Sequence, residues 1–535
     1  AGFDKDKMAA LDPTAMAGFK SDQVAALDAT AMAGFKPDQL NAMDATAMAG
    51  FKSDQVAALT TTAMAGFKPD QISAMDAAAM AGFDKDKMAA LDPTAMAGFK
   101  SDQIGAMDTA AMAGFGKDQF AQLAPTAMAG FDADKMAALD PTAMAGFKAD
   151  QLKAVDPTAI AGFKADQLGA MDKTAMGGFD QTRINALAPT AVAGFKADQL
   201  GAIDPKAMAG FGKDQMAGLA PTAMGGLAAD QVSAIDASAI AGLGKDQLGG
   251  LAPTAMAGFD QTKITALDAT AMAGFKKDQV AELAPTAMGG FKATQVANLD
   301  ANAVGGFKAT QVAAIDPTAM AGFKSDQVAG LDPNAMAGFK PDQLKAIDPD
   351  AVAGLQQDQV KNLTKDAIGG LTSNQFDKLP DDALKGLTKD NLGGLGTDVV
   401  KGFSNDTIAK LDPTQVKSLA GDDFSKLMTN VDPTKVTADA VDDLLPAGWE
   451  LDSATGGLTA PPGAALSFKT IDKAASDNIN DTSLPPLPDL SKDLALGGGT
   501  ADSGGGVLAG LDKALDAAAG AGAYKFEQRS DGILN

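Results

Sequence analysis

The chain has 535 residues and a formal charge of −24 at pH 7, with a pI near 4.3. This charge repels phosphate backbones and anionic lipid headgroups, and no cluster of lysine and arginine offsets it, so we expect no nucleic-acid partner. The sequence has no cysteine and no histidine, which excludes a cysteine nucleophile, a histidine general base and a Cys/His zinc site.

Aromatic residues make up 5% of the chain, too few to fill the several globular cores that a chain of this length usually needs. Alanine, glycine and methionine make up most of the apolar residues. The composition therefore predicts a thin interior with closely packed backbones. No run of about 18 apolar residues is present, so we predict no membrane insertion.

The first residues, Ala1-Gly2-Phe3-Asp4, lack the basic and apolar regions of a signal peptide. They also fall in the middle of a repeating pattern. We expect the chain to be a mature product or a piece of a longer protein.

A sixteen-residue repeat runs without insertion or deletion from residue 1 to residue 416, which gives 26 repeats. Its consensus is A-G-F-K-x-D-Q-V-x-A-L-D-P-T-A-M. Each repeat contains two octads, here named the Lys octad (for example residues 20–27) and the Asp octad (residues 28–35). Large apolar residues occupy the fifth and eighth places of both octads, so each octad offers the same apolar face.

Proline at the second place of an octad predicts many short helices instead of one long helix. Pro13 lies in an Asp octad and Pro37 in a Lys octad. Proline is tolerated at the first helical position but breaks a helix interior. Asp12-Pro13-Thr14 reads as N-cap, first and second helical residues. We therefore predict an all-α repeat fold, a thin α-solenoid of very short helices.

Helices this short are unstable alone, so stacking between layers must stabilise them. We expect one repeat to form one layer. At about 8 to 10 Å between packed helices, the array would be roughly 200 to 260 Å long. Small residues such as Ala17 and Gly18 should allow close approach of the next helix.

The pattern weakens towards the C-terminus, where Lys385, Lys401 and Lys417 replace the small residue that opens a repeat. Residues 417–445 read as degenerate capping turns, because a solenoid must close its core against water with a more polar last layer.

The segment 446–470 holds the single tryptophan and reads as strand, turn and strand, a small region with some β structure. Its start, from Leu445 to Leu458, resembles the L-P-x-G-x-x-x-D-x-x-T-G-x-L stretch of cadherin-like and immunoglobulin-like modules. Residues 471–506 have the Pro and Gly content of a linker. Residues 507–535 are predicted to form a C-terminal helix and tail.

The regularly spaced aspartates allow two interpretations. Asp22, Asp28, Asp38 and Asp44 could form calcium-binding ladders, or they could be N-caps and first-turn acids that the helix dipole favours. No D-x-D-x-D-G loop supports calcium, so we favour the second interpretation and predict no metal site.

Two other residue types recur at a fixed place in the repeat, and both have structural explanations. The methionine that ends most repeats (Met16, Met32, Met48, Met64) could form a peptide-binding stripe, but is more typical of a core filler beside phenylalanine. Gln23 and Gln39 could form a hydrogen-bonded ladder along the stack. Because every carboxylate pair recurs, none offers the unique desolvated pocket of a catalytic site. We expect no enzyme, no catalytic residue and no cofactor.

The Q-[VLI]-x-A-[LIM] repeats resemble those of very large bacterial surface and adhesion proteins. This resemblance implies an extracellular or cell-surface location and a role as an elongated spacer or stalk, with a cell-surface partner. Two alternatives stay open: a filament subunit that self-associates along the solenoid axis, and a solenoid module that binds a protein or glycan.

Overall fold

The structure, a computed structural model, describes residues 2–395, residue 399, and residues 450–452 and 457–459. The predicted capping turns at 417–445, the linker at 471–506 and the C-terminal helix and tail at 507–535 lie outside these residues. By its contacts the chain divides into an N-terminal unit, residues 1–275 with 282–284, and a C-terminal unit, residues 276–281 with 285–535.

The repeats form an all-α solenoid of short helices, which confirms the predicted fold class. Within residues 2–395, each Lys octad forms one α-helix of four to six residues. These helices are Lys5–Ala9, Ser21–Ala25, Pro37–Ala42, Ser53–Ala58, Pro69–Ala74, Lys85–Ala90, Ser101–Ala106, Lys117–Gln122, Ala133–Ala138, Ala149–Ala154, Ala165–Ala170, Gln181–Ala186, Ala197–Leu200, Lys213–Gly218, Ala229–Ala234, Lys245–Gly250, Gln261–Ala266, Lys277–Glu282, Ala293–Val296, Ala309–Val312, Ser325–Gly330, Pro341–Ala346, Gln357–Lys361, Ser373–Phe376 and Lys389–Leu392.

The Asp octads take two forms, which the sequence did not predict. Some form α-helices: Pro13–Met16, Ala29–Met32, Thr61–Met64, Thr109–Met112, Pro141–Met144, Pro157–Ile160, Ala237–Ile240, Ala301–Val304, Pro317–Met320, Pro349–Val352, Lys365–Ile368 and Asp381–Leu384. Others form 3₁₀-helices: Ala45–Gly50, Ala77–Gly82, Pro93–Gly98, Pro125–Gly130, Lys173–Gly178, Val192–Gly194, Pro205–Gly210, Pro221–Gly226, Pro253–Gly258, Ala269–Gly274, Pro285–Gly290 and Pro333–Gly338. In both forms the last bond closes a tight i to i+3 turn, as from Phe35 N–H to the Met32 carbonyl and from Phe51 N–H to the Met48 carbonyl.

The predicted helix starts are confirmed. Asp12 caps the helix Pro13–Met16 by accepting a hydrogen bond from the Thr14 N–H at 2.8 Å, and Pro13 is the first helical residue. Pro37 likewise opens the helix Pro37–Ala42. Because proline fixes φ and lacks an N–H, it costs nothing at this position and prevents fusion of neighbouring helices.

A layer of the solenoid contains almost two repeats, so the expectation of one repeat per layer is wrong. In the N-terminal unit Ser21–Ala25 packs against Ala45–Gly50, three octads later. In the C-terminal unit Ser325–Gly330 packs against both Ala301–Val304 and Pro349–Val352. A six-residue helix is too short to reverse the chain over its neighbour, and three to four of them complete one turn.

The core is a thin row of side chains inside these turns. Met16, Met32, Met48 and Met64 are fully buried, which confirms the core interpretation of the methionine row. Some phenylalanines of successive repeats contact each other, as Phe51 and Phe67 do with ring centroids 6.3 Å apart.

Two short strands follow the solenoid in sequence. Glu450–Asp452 pairs antiparallel with Gly457–Thr459, with Leu451 opposite Leu458. They lie within the stretch that the sequence predicts as strand, turn and strand.

Candidate functional site

The contact between successive solenoid turns carries a repeated polar interaction, which we name the glutamine clamp. The Oε1 atom of Gln39 accepts a hydrogen bond from the Lys36 N–H at 2.9 Å and so caps its own helix. Its Nε2 donates to the carbonyls of Met8 and Leu11 in the preceding turn, both at 2.8 Å. One side chain thus caps a helix and joins two turns.

The clamp recurs with nearly constant geometry. The glutamines donate to carbonyls 31 and 28 residues earlier, and the buried members expose 8% or less of their surface. For Gln311 and Asn391 the bond described is the one to the carbonyl 31 residues earlier. Members in the N-terminal unit are Gln39, Gln55, Gln71, Gln103, Gln119, Gln151, Gln167, Gln199, Gln215, Gln231 and Gln247. Members in the C-terminal unit are Gln311, Gln327, Gln343, Gln359, Gln375 and, as an asparagine, Asn391.

The predicted ladder of glutamines is therefore confirmed for Gln39, although its bonds go to backbone carbonyls instead of to other glutamines. Gln23 lies in the first turn of the given sequence, is exposed, and makes only the capping bond from the Lys20 N–H at 2.9 Å. The hydrogen bonds between successive turns begin with Gln39.

Five repeats replace the clamp by an ionic version. At these positions aspartate occupies the N-cap and lysine or arginine replaces the glutamine three residues later. The pairs are Asp4 with Lys7, Asp84 with Lys87, Asp132 with Lys135, Asp180 with Arg183, and Asp260 with Lys263. The two positions change together in all five cases.

The geometry explains this joint exchange. In the pair Asp84 and Lys87, the carboxylate accepts the Lys87 N–H at 2.8 Å and the Lys87 ammonium at 2.5 Å. Aspartate thus caps the helix start, as glutamine Oε1 does elsewhere, but it accepts the N–H three residues later instead of the N–H of the N-cap residue. Arg183 reaches the preceding turn, because its Nε donates to the Leu152 carbonyl at 3.0 Å. Sequence reasoning missed this exchange, although the paired substitution is visible in the repeats.

A row of glycines brings the backbones of successive turns into contact. A Cβ atom on Gly98 would lie 2.7 Å from the Pro69 carbonyl carbon and 2.8 Å from the Pro69 Cα. Pro69 belongs to the preceding turn, 29 residues earlier. Gly18, named in the prediction, makes no such approach, since the atom nearest to an added Cβ is the Ala15 carbonyl oxygen at 3.6 Å. The close approach occurs at Gly98, with the preceding turn and not with the next helix along the chain. Only a residue without a side chain fits here.

The aspartates that begin Asp octads are helix caps, as the favoured interpretation predicts. Asp44 accepts hydrogen bonds from the Thr46 N–H at 2.8 Å and the Thr46 hydroxyl at 2.7 Å, and Asp28 accepts from the Ala31 N–H at 2.9 Å. Asp22 and Asp38 are acids of a first helical turn. In the part of the chain that the structure describes, no three carboxylates gather closely enough to hold a metal ion.

The aspartate caps of both kinds of octad predict a lower free energy of unfolding in acid. The Thr262 hydroxyl, then the Lys263 N–H and ammonium, lower the pKa of Asp260 from 3.8 to about 2. The Thr46 hydroxyl and N–H likewise lower the pKa of Asp44. Because the folded pKa lies below the unfolded value, each cap stabilises the fold above about pH 4 and loses this contribution as the pH falls through its folded pKa, which for Asp260 is about 2.

We expect Thr262→Val to raise the pKa of Asp260 towards 3.8, as measured by NMR titration of the carboxyl carbon. Thr265→Val is the matched control, since the Thr265 hydroxyl donates to the Gln261 carbonyl and not to Asp260. Equal pKa values of Asp260 in the two variants would contradict the assignment of the shift to the Thr262 hydroxyl.

Within residues 2–395 and the two strands, no helix is long and apolar enough to cross a membrane. Comparison with models of known protein families gives no match for this chain. No curated protein matches it either.

Proposed function

We propose that the chain is a structural spacer, an elongated stalk within an extracellular surface or adhesion protein. The observation that carries the proposal is the glutamine clamp, in which a buried glutamine donates the same two hydrogen bonds to carbonyls of the preceding turn, repeat after repeat. A bond pattern that depends only on the preceding turn allows the array to grow by addition of repeats, so the sequence can set its length without new contacts.

The energetics of the contact support this role. Each clamp glutamine satisfies one buried N–H and two carbonyls, and a net hydrogen bond contributes about 0.5 to 1.5 kcal/mol. Glycine contacts and buried methionine and phenylalanine add packing in every turn. Stability is thereby distributed along the solenoid, as a spacer under load requires.

The placement outside the cell rests on the resemblance of the Q-[VLI]-x-A-[LIM] repeats to bacterial surface and adhesion proteins. Protease treatment of intact producing cells tests it, since a chain inside the cell would stay uncut.

Removal of whole repeats tests the spacer role. Deletion of residues 65–192 removes eight repeats and keeps the sixteen-residue register. With 28 to 31 residues per turn and about 8 to 10 Å between turns, we expect the maximum dimension to fall by about 35 to 45 Å. One repeat per layer would instead give about 64 to 80 Å.

Small-angle X-ray scattering of the full chain and the deletion variant measures this change. A dimension that stays constant after the deletion would contradict the spacer proposal. A dimension that grows with protein concentration would favour the filament subunit over a monomeric spacer.

A further inference from the structure

Two grooves on the C-terminal unit occupy equivalent places in the repeat pattern. The first, about 810 Å³ in volume, is lined by Lys276, Lys277 and Lys308 above a floor that includes Ala281 and Ala309; we name it the lysine groove. The second, about 760 Å³, is lined by the residues three repeats later; we name it the control groove. The solenoid itself therefore produces the shape.

The charges of the two grooves differ. Where the lysine groove has Lys277 and Lys308, the control groove has Ser325 and Gln356. Lys324, the counterpart of Lys276, is the remaining lysine there. Both grooves contain two aspartates among their lining residues. The lysine groove thus combines the common shape with two additional cations, in a chain whose formal charge is −24.

The cations of the lysine groove are available to a ligand. Lys276, Lys277 and Lys308 are exposed, and none of them takes part in an ion pair in the described part of the chain. The carboxylates beside them are engaged by their own helix starts: Asp278 accepts the Gln279 N–H at 3.0 Å, and Asp332 accepts the Asn334 N–H at 2.9 Å.

Gly305 lies next to one of these lysines, and an added Cβ would make only an ordinary van der Waals contact with it. A Cβ atom there would lie 3.8 Å from the Cε of Lys277 and 2.8 Å from the Gly330 carbonyl oxygen. The control groove has Ala353 at the equivalent position, opposite Ser325. Lysine and glycine occur together in one groove, and serine and alanine in the other.

We propose that the lysine groove binds an extended acidic peptide segment of a partner protein. Carboxylates of the peptide would pair with Lys276, Lys277 and Lys308, and its small apolar side chains would lie on Ala281 and Ala309. This binding surface goes beyond the spacer role and does not depend on it.

Charge and shape favour this occupant over others. A second copy of the chain carries the full charge of −24, so it is repelled more strongly than a short peptide with a few carboxylates. A sugar needs an exposed aromatic face, whereas Phe307 in the groove wall is 2% exposed. A single inorganic anion would leave most of the apolar floor empty.

Fluorescence anisotropy of a labelled peptide that alternates glutamate and alanine tests the proposal on the full chain. The double substitution Lys277→Ser and Lys308→Gln introduces the residues that the control groove has at these two positions, so the fold should be retained. Since an exposed ion pair contributes about 0.2 to 1 kcal/mol, we expect roughly 2- to 30-fold weaker binding. The reverse change, Ser325→Lys with Ala353→Gly and Gln356→Lys, should raise the stoichiometry from one peptide to two.

Three outcomes would overturn the proposal. Unchanged affinity in the Lys277/Lys308 variant would place the peptide elsewhere, and equal binding of a glutamine-alanine peptide would remove the role of charge. Dimers of the parent chain that disappear in this variant, together with no peptide binding, would identify a second copy as the occupant.

Discussion

Gly178→Ala is expected to destabilise the solenoid by about 1 to 3 kcal/mol, the usual cost of forcing extra atoms into a packed contact. A Cβ atom at this position would lie 2.6 Å from the Ala149 carbonyl oxygen and 2.7 Å from the Leu152 Cβ. Both atoms belong to the preceding turn, and one of them is backbone, which cannot rotate away. The two turns must therefore separate.

The neighbouring residue provides the control. Gly177 has no atom within 4 Å of an added Cβ, and neither glycine has the positive φ that would strain an alanine. We expect Gly177→Ala to be neutral or to stabilise the helix by up to about 1 kcal/mol. The denaturation midpoint and hydrogen exchange of the helix Ala149–Ala154 measure both effects. Equal denaturation midpoints and equal exchange rates in the two variants would mean that the turns are not held in backbone contact.

Gln167→Ala is expected to cost about 2 to 4 kcal/mol, because three hydrogen bonds are lost at a buried position. Gln167 is fully buried, accepts the Lys164 N–H at 2.8 Å, and donates to the Met136 and Leu139 carbonyls at 2.8 Å. Alanine makes none of these hydrogen bonds. It also leaves a small gap between the two turns, which they cannot close by moving together. Hydrogen exchange of the amides on both sides of this contact should report the local opening.

The five ionic repeats supply a sharper test of the same contact. Gln167→Lys alone removes the cap of the Lys164 N–H and places a second ammonium beside Lys164. Lys164→Asp with Gln167→Lys recreates the arrangement of Asp84 and Lys87. We expect the double variant to recover much of the stability lost by the single one, with a coupling energy of about 1 to 3 kcal/mol in a double-mutant cycle. Additive effects would show that the joint exchange in the sequence has no energetic basis.

The helix starts and the buried positions can be predicted from local sequence. Proline at the second place of an octad and aspartate before it define where each helix starts, because both act on the backbone within three residues. The regular apolar places predict which side chains are buried, and Met16 and Met32 are indeed inside. These features are local and recur 26 times, so a single sequence reveals them.

Some local details cannot be predicted from the sequence. The segment Ala-Thr-Ala-Met-Ala-Gly is α-helical at Ala29–Met32 and 3₁₀-helical at Ala45–Gly50. The two forms differ by small shifts in hydrogen bonding, and identical residues therefore follow whichever form their contacts favour. The distinction depends on the surrounding turns.

The stacking of the octads depends on contacts between turns and could not be predicted from the repeat. The sixteen-residue period suggests a sixteen-residue layer, but the glutamine clamp joins residues 28 and 31 apart. One layer is complete when successive short helices have turned the chain through a full circle. The number of helices this takes depends on the angle between them, which cannot be read from the period of the sequence. The ladder of glutamines could be predicted, whereas its backbone partners, the glycine contacts and the lysine groove arise between residues brought together only by this closure.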